Sequence, residues 1–378
     1  MNPPDPPPQH AYLSALGACT PLGDSISSAA AFRADINRLE TLEGVGVDDD
    51  DIEEAPRYSG YTCQSFTGKL EGLARYIRMG SAAINELKAQ APSADWQTSG
   101  NTAYICTLAN FLEEPIDELG LDQTMEEEIN NEIRSEENHY IKRLFNGIGA
   151  ECGLTIPEAQ QFYLFRGSIG FFKGINKAIE LLNNQQCQYV VVGAIDSLVD
   201  PARLEMLEGE GRLKDTNNPT GIIPGEAACF LLLTLNGPAS NPKVQINPAH
   251  FSQEPQHYFS GEPATGEGLK ALLAPAMADP AENSPLAQAS LYHDLNGEPY
   301  RAYEWGITEV MLKQGMPVES WPRHLPAESF GDTGVAYGAL ATLLACRAII
   351  RGYNWGQPLI LCSDNLGERA LLAPQPVN

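Results

Sequence analysis

Basic residues are scarce in this chain of 378: 24 Lys and Arg stand against 49 Asp and Glu, a formal net charge of −25. So acidic a surface repels phosphate backbones and anionic headgroups, which argues against nucleic acid and the membrane surface as partners. Closely spaced cysteines are lacking too. The eight (19, 63, 106, 152, 187, 229, 346 and 362) form no Cys-x-x-Cys pair and no His/Cys cluster. That pattern argues against a disulfide frame or a zinc site and predicts reduced, mostly buried thiols, with no metal and no cofactor. The first ten residues, a proline-rich tail expected to be disordered, lack the basic-then-apolar order of a signal peptide. No apolar run reaches the roughly 18 residues that a spanning helix needs. The expectation is a soluble, cytoplasmic protein.

What is present is a 43% hydrophobic chain, enough for one large domain or two fused half-domains. Its acids are bunched. Asp48–Glu54 holds six and no base, and Glu113–Glu137 holds eleven against Arg134 alone. Such segments are either solvated surface or an acidic face for a basic protein partner. Patterning places a strand at Ala11–Leu16, a turn at Thr20–Gly23 and a helix through Ile26–Arg33 capped by Asp24 or Ser25. Leu70–Ala89 has helical spacing, Ala103–Leu108 reads as a strand, and residues 111–146 read as a polar, largely helical excursion. Phe162–Phe165 is a short strand that breaks at Arg166-Gly167-Ser168 before an apolar helix through Leu182. Tyr189–Ile195 and Ala227–Leu235 are continuous apolar runs, as strands covered on both faces require. Gly237–Pro242 is a turn-rich junction, dividing halves at 11–236 and 243–374. After it come strands at Val244–Phe251 and Leu286–Tyr292 and helices at Gly266–Ala278, Tyr300–Gln314 and Gly334–Ile350. Strands at Leu359–Cys362 and Ala370–Leu372 close the chain. Two successive rounds of strands and buried helices suggest an α/β protein built by duplication.

Several segments, in order, resemble the β-ketoacyl-ACP synthase branch of the thiolase superfamily. Leu16-Gly17-Ala18-Cys19-Thr20-Pro21-Leu22-Gly23 is similar to its opening strand and G-x-x-T-P-L-G turn. Val191–Ser197 is similar to the strand ending in G-x-D-S, and Gly221–Ala228 to G-F-V-x-G-E-G-A. Gly266-Glu267-Gly268-Leu269 is similar to the start of a helix in the second half. The resemblance implies a thiolase-like αβαβα five-layered sandwich of two duplicated halves, usually dimeric through paired central strands.

The same resemblance implies a catalytic cysteine at a strand-to-helix elbow and two histidines that stabilise a developing oxyanion. Gly167 falls in the cysteine's slot, with Gly170 matching a family glycine. His293 keeps the first histidine but is followed by Asp294-Leu295-Asn296-Gly297-Glu298 instead of G-T-x-T. Asp332 falls where the second histidine belongs, and Ser363–Gly367 answers the closing G-F-G-G loop in part. A carboxylate acceptor in place of an imidazolium donor opposes an oxyanion. Phe165, Phe171 and Phe172 would flank such a site, either filling an acyl tunnel or packing as ordinary core.

Three functional readings follow. The first is a catalytically inactive ketosynthase-like protein acting by binding or scaffolding, as a homodimer or as the inactive partner of an active synthase. Its charge makes docking of an acidic acyl carrier protein unfavourable. The second is an accessory or chaperone protein linked to a type VI secretion effector. The third is a residual acyl hydrolase or decarboxylase using His293 and Asp332, with Ser168 as substitute nucleophile in a Ser-His-Asp set. Against that, His293 reads as a satisfied buried histidine bonded to Asp332, and the resemblance would let Arg166 pair with Asp196, Glu226 or Asp332.

Overall fold

The computed structural model describes residues 10–42, 58–93, 95–98, 100–109, 123–165, 167–236, 243–274, 288–313 and 315–377. The proline-rich tail (except His10), the Asp48–Glu54 run, Arg166 and the 237–242 junction lie outside these residues.

The opening apolar run is β1 (Ala11–Cys19), and a turn leads into α1 (Ser25–Arg33). Asp24 caps that helix, accepting the Ser27 N–H at 2.7 Å. β2 (Glu40–Thr41) pairs with β3 (Ser59–Gly60). Next come α2 (Gln64–Thr67), α3 (Gly72–Gln90), β4 (Thr102–Leu108), α4 (Gln123–Cys152), β5 (Gln161–Phe165) and α5 (Gly170–Asn183). β6 (Tyr189–Ser197) and β7 (Glu226–Thr234) flank α6 (Pro201–Gly209). The sequence reading missed α6, which buries only Leu204 and Leu207 and so shows no apolar stripe. β8 (Lys243–Ile246), β9 (His250–Gln253), α7 (Glu267–Leu273), β10 (Ala289–Tyr292) and α8 (Pro299–Leu312) follow. The chain ends with β11 (Arg323–His324), α9 (Ala327–Phe330), α10 (Tyr337–Arg351), β12 (Gln357–Ser363), β13 (Glu368–Leu372) and β14 (Gln375–Val377).

The strands form a seven-stranded sheet, β14-β8-β1-β7-β6-β4-β5, and a five-stranded sheet, β11-β10-β12-β13-β9. Side-chain alternation sorts the layers. Along β7, Ala227, Cys229, Leu231 and Leu233 enter the core shared with α5 and α10. Ala228, Phe230 and Leu232 point the other way, into a cluster with α3 and the second half of α4. Along β12, Ile360 and Cys362 face the shared core, while Leu359 and Leu361 meet Leu269 of α7 and Trp305 of α8. The order is therefore α3/α4, first sheet, α5/α10, second sheet, α7/α8: a five-layered sandwich to which each half gives one central helix.

Three readings change. The strand read over Val244–Phe251 is two strands in different sheets, broken at Asn247-Pro248, where proline has no N–H to give a ladder. With β14, β8 takes the first sheet across the 237–242 junction. The 111–146 excursion leaves the core only in part, since Ile141, Leu144, Phe145 and Ile148 of α4 are buried against α3 and the first sheet. Residues 110–122 lie outside those described. Finally, Gly334–Arg351 is long and apolar enough to cross a membrane, contrary to the sequence reading, and is buried as the central helix of the second half.

Candidate functional site

Four strands end at one place. The chain leaves β5 through Gly167-Ser168, β6 through Asp196-Ser197, β10 through His293-Asp294 and β12 through Ser363-Asp364. Carboxyl ends of strands in α/β folds are where ligand sites are usually built. Between them lies a partly open cavity of about 80 Å³ whose lining includes Gly167, Ser168, Asp196, Arg301, Asp332 and Asp364. A smaller one of about 20 Å³ shares Ser168, Arg301 and Asp332 and adds Asp294, Tyr337 and Cys362.

Gly167 opens the elbow with φ +58°, a left-handed conformation that costs glycine little. A Cβ built on it would collide with Asp364 Oδ2, so that carboxylate occupies the volume a side chain at 167 would need. Asp364 is 7% exposed; its Oδ1 accepts the Leu366 N–H at 2.6 Å, and burial raises its pKa. Ser168 lines both cavities, and its carbonyl accepts the Cys362 S–H at 3.4 Å. Cys362 is the one thiol in the lining of either cavity, and burial with the nearby Asp294 carboxylate drives its pKa well up. It rests as a neutral thiol, not as a nucleophilic thiolate.

His293 is 1% exposed and lines neither cavity. Its Nδ1 lies 3.0 Å from Asp294 Oδ1, and its ring meets Trp305 edge-on at 4.6 Å between centroids. Asp332 is held elsewhere: Oδ2 accepts from Asn296 Nδ2 at 2.7 Å and Oδ1 from the Gly334 N–H at 2.8 Å. The expected His293–Asp332 bond is therefore replaced by His293–Asp294, and Ser168, His293 and Asp332 do not form one hydrogen-bonded set. The nearest carboxylate in sequence wins because Asp294 sits at the strand end with both neighbours in reach.

Reading by motif missed the scaffold around these residues. Asp294 accepts from Arg301 at 2.6 Å and from the Ser363 N–H at 2.5 Å. Burial pushes its pKa up, but Arg301, His293 and that N–H outweigh burial and hold it at about 2. Arg212 grips Glu298 with Nε at 2.8 Å and Nη2 at 3.2 Å. Arg369 reaches Glu304 at 2.7 Å. The signal was in the run Asp294-x-Asn296-Gly297-Glu298-x-x-Arg301-x-x-Glu304, whose charges recur at helical intervals of three on α8. Deeper, Glu226 takes both Arg75 Nε (2.6 Å) and Nη2 (2.7 Å) together with Ser197 Oγ (2.7 Å). Asp196 accepts from Tyr76 Oη at 2.9 Å and the Val335 N–H at 3.0 Å. Asp196 and Glu226 thus have partners other than Arg166.

No protein-family model matches the chain, and no curated protein does. Solved structures do. One, described as a type II polyketide synthase acyl-carrier protein in complex with its ketosynthase bound to the hexaketide, superposes at TM-score 0.69 and 12% identity, covering 98% of this chain and 100% of that one. The chain has the ketosynthase fold. A ketosynthase from module 6 of the bacillaene synthase of Bacillus subtilis matches at TM-score 0.67 and 10% identity, over 98% of this chain and 72% of that one. A ketosynthase in complex with its chain length factor from Xenorhabdus doucetiae matches at 0.65 and 15%, over 98% of each. The ketosynthase fold accounts for the two sheets and the central helices. Phe171 and Phe172, expected beside the site, are fully buried in the shared core and line neither cavity.

Proposed function

We propose that this chain is a non-condensing ketosynthase-fold protein that acts by association, as a homodimer or beside a related subunit. The observation that carries the reading is the elbow: Gly167 has no side chain to acylate, and Asp364 fills the volume where one would stand. Asp332 adds a carboxylate where an oxyanion would need a donor, and Cys362 is held neutral. Association has support of its own. Among the described residues β5 ends the seven-stranded sheet, and its Phe162-Tyr163-Leu164-Phe165 run is only half-buried. An apolar edge strand left open in this way is a template for pairing with another chain. One of the matched structures is a ketosynthase with its chain length factor, a pairing of two chains in that protein.

The test is intact-protein mass spectrometry of the full chain after incubation with acyl-CoA and with acyl-loaded carrier protein, product release being assayed in parallel. The expected result is an unchanged mass and no product. A stable acyl adduct overturns the reading, and peptide mapping then tells whether Ser168 or Cys362 carries it. Including carrier protein also tests the repulsion expected from net charge.

A further inference from the structure

With 24 bases among 49 acids, a surface arginine in this chain has carboxylates to choose from. Arg38, Arg78 and Arg323 each take one, bridging to Glu40, Glu151 and Glu309. One corner of the molecule departs from that pattern. Arg33 ends α1, while Arg347 and Arg351 stand one turn apart near the end of α10. Gly352, at φ +67°, then turns the chain so that the Tyr353 N–H returns to the Ala348 carbonyl at 3.0 Å. The Arg33 guanidinium lies over the Tyr353 ring, 4.4 Å from its centroid.

None of these three arginines forms an ion pair among the described residues. The neighbouring carboxylates are engaged elsewhere. Asp24 caps α1 on the Ser27 N–H, and Glu86 accepts from the Ala18 and Ser25 N–H groups. Asp35, two residues past Arg33, is exposed and does not bridge to it. Arg347 is half-buried and donates Nη2 to Ser25 Oγ at 2.9 Å, whereas Arg33 and Arg351 are exposed. Burial lowers the Arg347 pKa and Arg351 adds to the fall, which Glu86 and Asp24 offset only in part. Burial raises the Tyr353 pKa, and all three arginines pull against it. Taken singly, Arg33 and Arg351 suit the negative ends of their helices. Gathered around one phenol, with two of them at i and i+4, the three repel one another.

Like charges held together without a counter-ion suit an anion, and the count of donors says which. A carboxylate is answered by one guanidinium fork. Three forks and a phenol O–H suit a phosphate, whose double charge and three terminal oxygens take several charge-assisted hydrogen bonds at once. Clusters of arginine recognise phosphate groups in this way. The acids on the rest of the surface do not forbid it, since exposed charges farther off than a Debye length of ~8 Å are largely screened at physiological ionic strength.

We propose that the corner between α1 and α10 is a phosphate site, built from Arg33, Arg347, Arg351 and Tyr353, for inorganic phosphate or a small phosphomonoester. None of these residues lines the elbow cavities, so the site is independent of the non-condensing reading.

The experiment is calorimetric titration of the full chain with sodium phosphate, glycerol 3-phosphate and acetate, in a phosphate-free buffer at fixed ionic strength. At least one of the two phosphate ligands should bind saturably, and acetate should not. Binding of inorganic phosphate assigns the free ion, and binding of glycerol 3-phosphate alone assigns the ester. Arg33→Gln and Arg351→Gln should each weaken binding at least about tenfold, near 1.4 kcal/mol. Both side chains are exposed, so the circular dichroism spectrum should be unchanged. Arg351→Lys, which keeps the charge but loses the fork, serves if the Gln variant does not fold. Arg78→Gln removes the same charge from α3 and should leave affinity as it is. No saturable binding of either phosphate ligand overturns the proposal, as does binding that survives both arginine variants. Equal binding of acetate, or an equal loss in Arg78→Gln, would show a response to overall charge and overturns it as well.

Discussion

At Gly167 the backbone stands at φ +58°, where any residue with a Cβ is strained. A cysteine placed at the elbow should therefore not serve as a nucleophile. Gly167→Cys should cost about 1–3 kcal/mol from backbone strain, and more from its collision with Asp364 Oδ2. Chemical denaturation should show the loss, and the double variant Gly167→Cys/Asp364→Gly should recover the part due to collision. Asp364 also sets a pH dependence. Burial raises its folded pKa above the unfolded value, so the ionised carboxyl is disfavoured in the folded chain. The contribution of this group is fully present below its unfolded pKa and is lost as pH rises through its folded one. Asp364→Asn should therefore raise the unfolding midpoint at neutral pH, with the gain fading as pH falls below the ordinary carboxyl range. A variant less stable than the parent at pH 7 would show that the ionised carboxylate is needed for folding. At both residues the motif reading located the glycine but not its neighbour, because Asp364 comes from the end of a different strand.

Among the elements, α5 shows how propensity and packing divide the work. Its Phe171, Phe172, Ile175 and Leu182 are buried between the two sheets, and Gly338 of α10 gives Phe172 the space to lie against it. The 3.6-residue period was legible, so the helix and its buried face were foreseen. Whether the two phenylalanines fill the central layer or the cavity was left open, since a period says which face is buried and not against what. Phe172→Ala should cost about 3–5 kcal/mol in urea unfolding, as a large void in a packed interior does. A loss under about 1 kcal/mol would mean that the layer between the sheets can collapse. α6 and the break at Asn247-Pro248 escaped for the opposite reason, being too short or too irregular for periodicity to register.

For the molecule as a whole, the β5 edge, which no strand pairs among the described residues, is the feature with a consequence beyond the chain. Phe162→Lys places a charge on that edge, a device that discourages strand addition. Sedimentation velocity should find the parent as a dimer and the variant shifted toward monomer, with the circular dichroism spectrum unchanged. A monomeric parent would send association to another face.

Sequence alone determined the α/β class, the duplication and the place of the elbow. Apolar runs, helical periods and glycine positions are local properties, and the chain writes them in order. Only the tertiary structure decided which groups share the cavity. His293 took Asp294 in place of Asp332, Arg301 tied the β10 loop to the end of β12, and Asp364 came to stand in the empty place at Gly167. Such partnerships join the ends of strands far apart in the chain. They are set by sheet order and burial, which make a buried charge take whatever partner the fold brings within reach.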